Sequence, residues 1–129
     1  FNKGIEVIVL PNLYGDIVTD VAAEHQGGLG TASSSNLGNQ YAMFEAIHGT
    51  APFLIDHNRG DYADPCSLIR AVGMLLAHIG YADRKQILDQ ALDICTITER
   101  RLVVTTDRDG ASAAEFTDYL LETINGLKK

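Results

Sequence analysis

Asn12-Leu13-Tyr14-Gly15-Asp16-Ile17-Val18-Thr19-Asp20 is the stretch on which the reading of this chain turns. Its apolar residues recur at helical spacing, and Asn12 is a residue type that caps a helix start, so a helix is expected from there to about His25. Asp16 and Asp20 are four residues apart, which places two carboxylates on one helix face, one turn from each other. Like charges at that spacing destabilise a helix unless a cation or a basic group lies between them. An oxygen-preferring divalent ion, Mg²⁺ or Mn²⁺, is the natural partner, and a solvated acidic face is the plain alternative. Two carboxylates do not complete a metal site; further oxygens would have to come from substrate, water or another chain.

Working outward, the apolar run at residues 5–10, closed by Pro11, reads as a short buried strand. On the other side Gly27-Gly28-Leu29-Gly30 ends the helix. These glycines resemble a phosphate-cradling loop only loosely, because a dinucleotide fingerprint sits between a strand and a helix start, whereas these come after a helix. Residues 31–39 are small and polar and read as a loop. A second short strand is expected at residues 41–47, followed by a long irregular stretch at 48–63. That stretch opens with His48-Gly49-Thr50-Ala51-Pro52, whose small residues let a backbone approach a ligand, and long loops often carry function. His48 is either a ligand contact or a polar residue satisfied at a strand end.

Asp64-Pro65 marks a strong helix start, with Asp as cap and Pro in the first turn. The helix to Ile79 is apolar around much of its circumference and is expected to be buried on more than one side. A second helix is expected at 85–100, a short strand at 102–104, and a last helix from the capping box Ser112/Glu115 to about Ile124. The order is mixed α/β, with helices predominating in the second half.

The chain has 129 residues and a formal charge of −7, which suits one small domain or a piece of a larger one. No basic patch is available to neutralise phosphates, so nucleic acid is excluded as a partner. Cys66 and Cys95 lack metal or CxxC spacing and read as buried reduced thiols. His25, His57 and His78 offer no zinc spacing, and Ser112 has no triad around it. Nothing marks export or membrane insertion, so a cytoplasmic location is expected. The chain starts without Met and enters an apolar run almost at once, which reads as a piece of a longer protein.

The wording of several motifs, in order, resembles the isocitrate/isopropylmalate dehydrogenase family. Residues 12–20 are similar to its Asn-Leu-Tyr-Gly-Asp-x-x-Ser-Asp signature. Gly27-Gly28-Leu29-Gly30 and Ser35-Asn36-Leu37-Gly38 come at the family's distance, and Phe44-Glu45-Ala46-Ile47-His48-Gly49-Thr50-Ala51-Pro52 resembles its cofactor loop. Ala63-Asp64-Pro65 resembles a later Ala-Asn-Pro, and Met74-Leu75-Leu76-Ala77-His78-Ile79-Gly80 also fits. The resemblance implies part of a three-layer α/β/α fold, with residues 1–30 closing a small domain that carries the metal-site helix and 31–129 returning to a large domain that carries the dinucleotide loop.

By the same resemblance, the parent protein oxidises a 2-hydroxy di- or tricarboxylate by hydride transfer to NAD or NADP and then releases CO₂, with Mg²⁺ or Mn²⁺ on the substrate oxygens. Asp16 and Asp20 match metal-site aspartates, Asp16 the more direct. Glu45 matches a glutamate near the nicotinamide ribose, and Gly30 a backbone approach to the nicotinamide end. His48, Gly49, Thr50 and Ala51 match the loop around the adenosine half, and Asp64 a residue whose backbone touches adenine. The family's catalytic tyrosine and lysine, substrate-binding arginines and a further metal aspartate have no counterpart here, so the chain alone is expected to be inactive. The Ala46–Thr50 wording leans toward isocitrate; isopropylmalate, homoisocitrate and tartrate stay open, as does a non-catalytic regulatory subunit. The family's usual homodimer is expected of the parent.

Departures are concentrated after Pro52. Phe53-Leu54 stands where many NAD enzymes have Asp-Ile and many NADP enzymes Lys-Tyr. Arg59 or His57 could meet a 2′-phosphate, and Asp56 or Asp61 a ribose diol. Asp64 replaces the usual Asn, His25-Gln26 replaces two apolar residues, and Ser33 stands where Pro is common.

Overall fold

The computed structural model describes residues 7–26 and 32–128. Helix α1 (Asn12–Gln26) forms where expected. Its first backbone bond runs from Gly15 N–H to the Pro11 carbonyl at 2.9 Å. That bond puts Pro11 in the cap position and moves Asn12 into the first turn, one residue later than its side chain alone suggests. Val7 to Leu10 are irregular and exposed rather than strand, with no neighbouring strand among the described residues to accept their backbone groups. Residues 5 and 6 of that expected strand, and the whole Gly27–Gly30 motif, lie outside the described residues.

The segment expected to be a loop contains β1 (Ser33–Leu37), paired antiparallel with β2 (Ala42–Ala46). The register matches Ser34 with Glu45, Ser35 with Phe44 and Asn36 with Met43. Small polar residues form a strand here because tertiary contacts outweigh propensity. Ser33 Oγ donates to Met74 Sδ at 3.1 Å, and Ser67 Oγ donates to the Ala32 carbonyl, tying the start of the hairpin to the helix beneath it. Phe44 lies against His78, with ring centroids 5.3 Å apart.

The expected irregular stretch holds a short helix α2 (Pro52–Asp56) and a 3₁₀ turn (Gly60–Tyr62). Helix α3 (Cys66–His78) comes next, with Pro65 rather than Asp64 in the cap position, and Asp64 one residue before it accepts at Oδ1 from Cys66 N–H at 2.9 Å. Helix α4 (Ala82–Asp93) starts earlier than expected and runs into a π-helical turn (Ile94–Thr98). Residues 102–104 are not a strand. Val103 makes one backbone bond, accepting from Ala111 N–H at 2.9 Å, while Leu102 and Val104 turn inward against the core. Gly110 is required in this loop, since a Cβ there would lie 2.9 Å from the Val103 carbonyl oxygen. Helix α5 (Ala113–Leu127) begins with the full Ser112/Glu115 capping box.

The core is built by α3, α4, the π turn and α5. Cys66, Ala91, Leu92, Cys95, Phe116, Tyr119 and Leu120 form one buried cluster. Both cysteines are free and buried, as expected, and burial pushes the Cys66 thiol well above its ordinary range. No helix among the described residues is long and apolar enough to cross a membrane.

Candidate functional site

Helix α1 and the hairpin face each other across a cleft of about 640 Å³. One wall is a single helical face: Asp16, Thr19, Asp20 and Ala23, at the i, i+3, i+4, i+7 positions. The other is the start of β1 together with the stretch from Glu45 to Gly49, which begins near the end of β2. The two acids therefore share one cleft with the histidine-glycine segment.

Neither carboxylate has a salt-bridge or side-chain hydrogen-bond partner among the described residues. No three His, Cys, Asp or Glu side chains among the described residues converge enough to hold a metal by themselves. The two acids by themselves therefore do not make up a metal site among the described residues. Thr19 was not singled out from the sequence, although its spacing from Asp16 puts it on the same face. Its Oγ donates back to the Gly15 carbonyl at 2.8 Å, so it shapes the wall more than it offers a free donor.

Glu45 is held by a diagonal cross-strand bond, its Oε1 accepting from Asn36 Nδ2 at 3.0 Å. His48 Nδ1 lies 3.0 Å from the Gly49 carbonyl oxygen. A carbonyl only accepts, so Nδ1 is the donor in this bond. Thr50 and Ala51 do not line the cleft. Ala51 instead adopts a left-handed conformation, φ 47°, that turns the chain into α2. Asp64 lies at a second, smaller cavity, its side chain bonded to the first N–H of α3. Gly30 lies outside the described residues. The structure thus gathers Asp16, Asp20, Glu45, His48 and Gly49, and leaves Thr50, Ala51 and Asp64 apart from them.

The basic residues after Pro52 are already committed. Arg59 pairs with Asp107 at 2.8 Å, donates to the Thr106 carbonyl at 2.7 Å, and stands 5.7 Å from the Phe53 ring centre. His57 Nδ1 donates to the Phe53 carbonyl at 2.8 Å, with its ring 4.1 Å from that of Phe53. Asp56 and Asp61 are exposed.

The family model described as isocitrate/isopropylmalate dehydrogenase matches residues 2–124. A mitochondrial regulatory subunit of the NAD isocitrate dehydrogenase of Dictyostelium discoideum is 44% identical over 93% of this chain and 33% of its own length. Isocitrate dehydrogenase [NADP] of Rickettsia felis is 50% identical over 67% of this chain and 17% of its own. The crystal structure of isocitrate dehydrogenase from Methylococcus capsulatus superposes with a TM-score of 0.77 at 34% identity, covering 88% of this chain and 33% of that one. The chain spans a third or less of each of these relatives. The α/β fold class expected from the sequence is therefore the one observed, and the chain belongs to the isocitrate/isopropylmalate dehydrogenase family.

Proposed function

We propose that these residues are the C-terminal portion of an isocitrate dehydrogenase, converting isocitrate to 2-oxoglutarate and CO₂ with reduction of NAD or NADP. The observation that carries this reading is the shared cleft: two carboxylates on one helix face, without a partner among the described residues, opposite Glu45 and His48. An all-oxygen donor pair fits Mg²⁺ or Mn²⁺ and fits softer metals poorly. Asp16 and Asp20 would hold the ion, with the remaining ligands supplied by substrate and by residues outside this chain. When bound, the ion supplies Lewis-acid stabilisation of charge developing on substrate oxygens.

The chain's own residues bind and orient. Glu45, fixed by Asn36, presents an acceptor suited to a ribose hydroxyl, and His48, its Nδ1 bonded to the Gly49 carbonyl, leaves Nε2 as its polar atom for a ligand. The reading extends to a homodimer of the longer protein in the cytoplasm. It is tested in the full-length protein with isocitrate, Mn²⁺ and either nucleotide. Turnover that disappears in Asp16→Asn is expected, and unchanged turnover in that variant would refute the metal role. The 129-residue chain by itself is expected to reduce neither nucleotide.

A second reading is a regulatory subunit of the same fold. It is favoured by the name of the Dictyostelium relative, which matches nearly the whole chain, and by the unusual Phe53-Leu54. A full-length protein that binds no Mn²⁺ with isocitrate yet alters the activity of a catalytic partner would decide for it.

A further inference from the structure

Three serines in succession, Ser33, Ser34 and Ser35, open β1, and the register gives them different surroundings. Successive side chains of a strand point to opposite faces. Ser33 donates its hydroxyl to Met74 of α3, and Ser35 is matched with Phe44, which lies against His78 of the same helix. Ser34 falls on the other face, directly opposite Glu45, and both line the cleft. Side chains so placed in an antiparallel pair have Cβ atoms about 4.5–5.5 Å apart, close enough for one ligand atom to touch both.

Glu45 is engaged on one side only. Its Oε1 accepts from Asn36 Nδ2 at 3.0 Å, and its Oε2 has no partner among the described residues. The Ser34 hydroxyl is half-buried and likewise has no hydrogen-bond partner among the described residues. A serine hydroxyl donates and accepts, whereas an ionised carboxylate only accepts. Side by side they match a group that gives one proton and takes another, which is an alcohol. A phosphate there would be repelled by the carboxylate, and an apolar group would leave both side chains unpaired.

We infer that Ser34 is a further nucleotide-binding residue of the cleft, its hydroxyl donating to a ribose oxygen whose own proton goes to Glu45 Oε2. The inference rests on the proposed function, which makes the cleft a nucleotide site, and adds to it a residue and a preference for sugar oxygen at that point.

The test is the dissociation constant of the reduced nucleotide, NADH or NADPH, followed by its fluorescence on the full-length protein without isocitrate or metal. Two analogues accompany it, one lacking the hydroxyls of the nicotinamide ribose and the other those of the adenosine ribose. Ser34→Ala should weaken the natural nucleotide roughly three- to tenfold, the usual range for a hydrogen bond between neutral groups. Ser34→Thr keeps the hydroxyl and should restore most of that loss. With one of the analogues, and one only, Ser34→Ala should cost nothing further, an outcome that a merely structural role for Ser34 does not give. Should Ser34→Ala fail to fold, Ser34→Cys takes its place with the same expectations. A parent that binds neither nucleotide, or a Glu45→Gln variant that binds as tightly as the parent, overturns the nucleotide site and the role of Ser34 with it. A parent that binds and is weakened by Glu45→Gln, yet is unaffected by Ser34→Ala or loses equally with both analogues, overturns the role of Ser34 alone.

Discussion

Helix α1 and helix α5 are the same length, 15 residues, and both carry apolar residues at helical spacing, yet they are in opposite situations. In α5, Phe116, Tyr119 and Leu120 are buried in the core, and the helix packs against α4, the π turn and the 3₁₀ turn. In α1, Leu13, Ile17 and Val21 form an equally regular row that stays more than half exposed, and Ala23 is its one buried residue among those described. The difference teaches that amphipathicity specifies a face to be covered and says nothing about which part of a chain covers it. An isolated helix of this length is marginal in water. The metal-site candidates therefore sit on the element least supported by its own chain.

The largest effect should come from the supported side. Phe116→Ala is expected to cost about 3–5 kcal/mol, a large part of the total stability of a domain, and denaturant unfolding followed by circular dichroism measures it. Loss of less than about 1 kcal/mol would show that α5 is no better anchored than α1.

Tyr119 tests the same side through pH. Desolvation and the hydrogen bond it donates to Glu99, 2.7 Å away, push its phenol up to about 12. A folded-state value above the ordinary value of 10 means that its contribution is complete below pH 10 and is lost as pH rises through about 12. Tyr119→Phe should cost about 1 kcal/mol at neutral pH and flatten that alkaline decline. An alkaline decline as steep as the parent's would place its origin elsewhere.

The capping box gives a smaller, acid-side test. Hydrogen bonds from the Ser112 backbone and hydroxyl hold the Glu115 carboxyl below its ordinary value of 4.5. A lowered folded-state value means that its contribution is present above pH 4.5 and disappears as pH falls below it. Ser112→Ala should cost about 1 kcal/mol at neutral pH and weaken the acid dependence. The smallest effect is expected on α1. Ile17→Ser should change stability by no more than about 0.5 kcal/mol, and α1 amides should exchange faster than those of α5. Strong protection of α1 would erase the contrast between the two helices.

Helices were legible in the sequence because their signals are local: Asp64-Pro65, Ser112 with Glu115, and the apolar spacing of α3, although the caps of α1 and α3 are Pro11 and Pro65, each one residue from the expected side chain. The strands were less so. Ser33–Leu37 lacks every strand-forming residue type and becomes one only because β2 pairs with it and α3 lies beneath it. Residues 102–104 have strand-forming residue types but no strand beside them among the described residues, and remain irregular. The acid pair was readable from spacing, and its proximity to Glu45 and His48 was not, because no local pattern says which element α1 faces. That Arg59 is occupied by Asp107 could not be read at all, since 48 positions separate the two.

The β1–β2 register has a consequence for the cleft. Along β2, Phe44 meets His78 on α3 while the next residue, Glu45, lines the opposite side. Sliding the pairing by one position would exchange them, setting a carboxylate onto the helix and an aromatic ring into the cleft. The electrical character of that cleft is thus decided by where a five-residue strand begins, and Ser33 and Ala32, by gripping Met74 and Ser67, act as its stop.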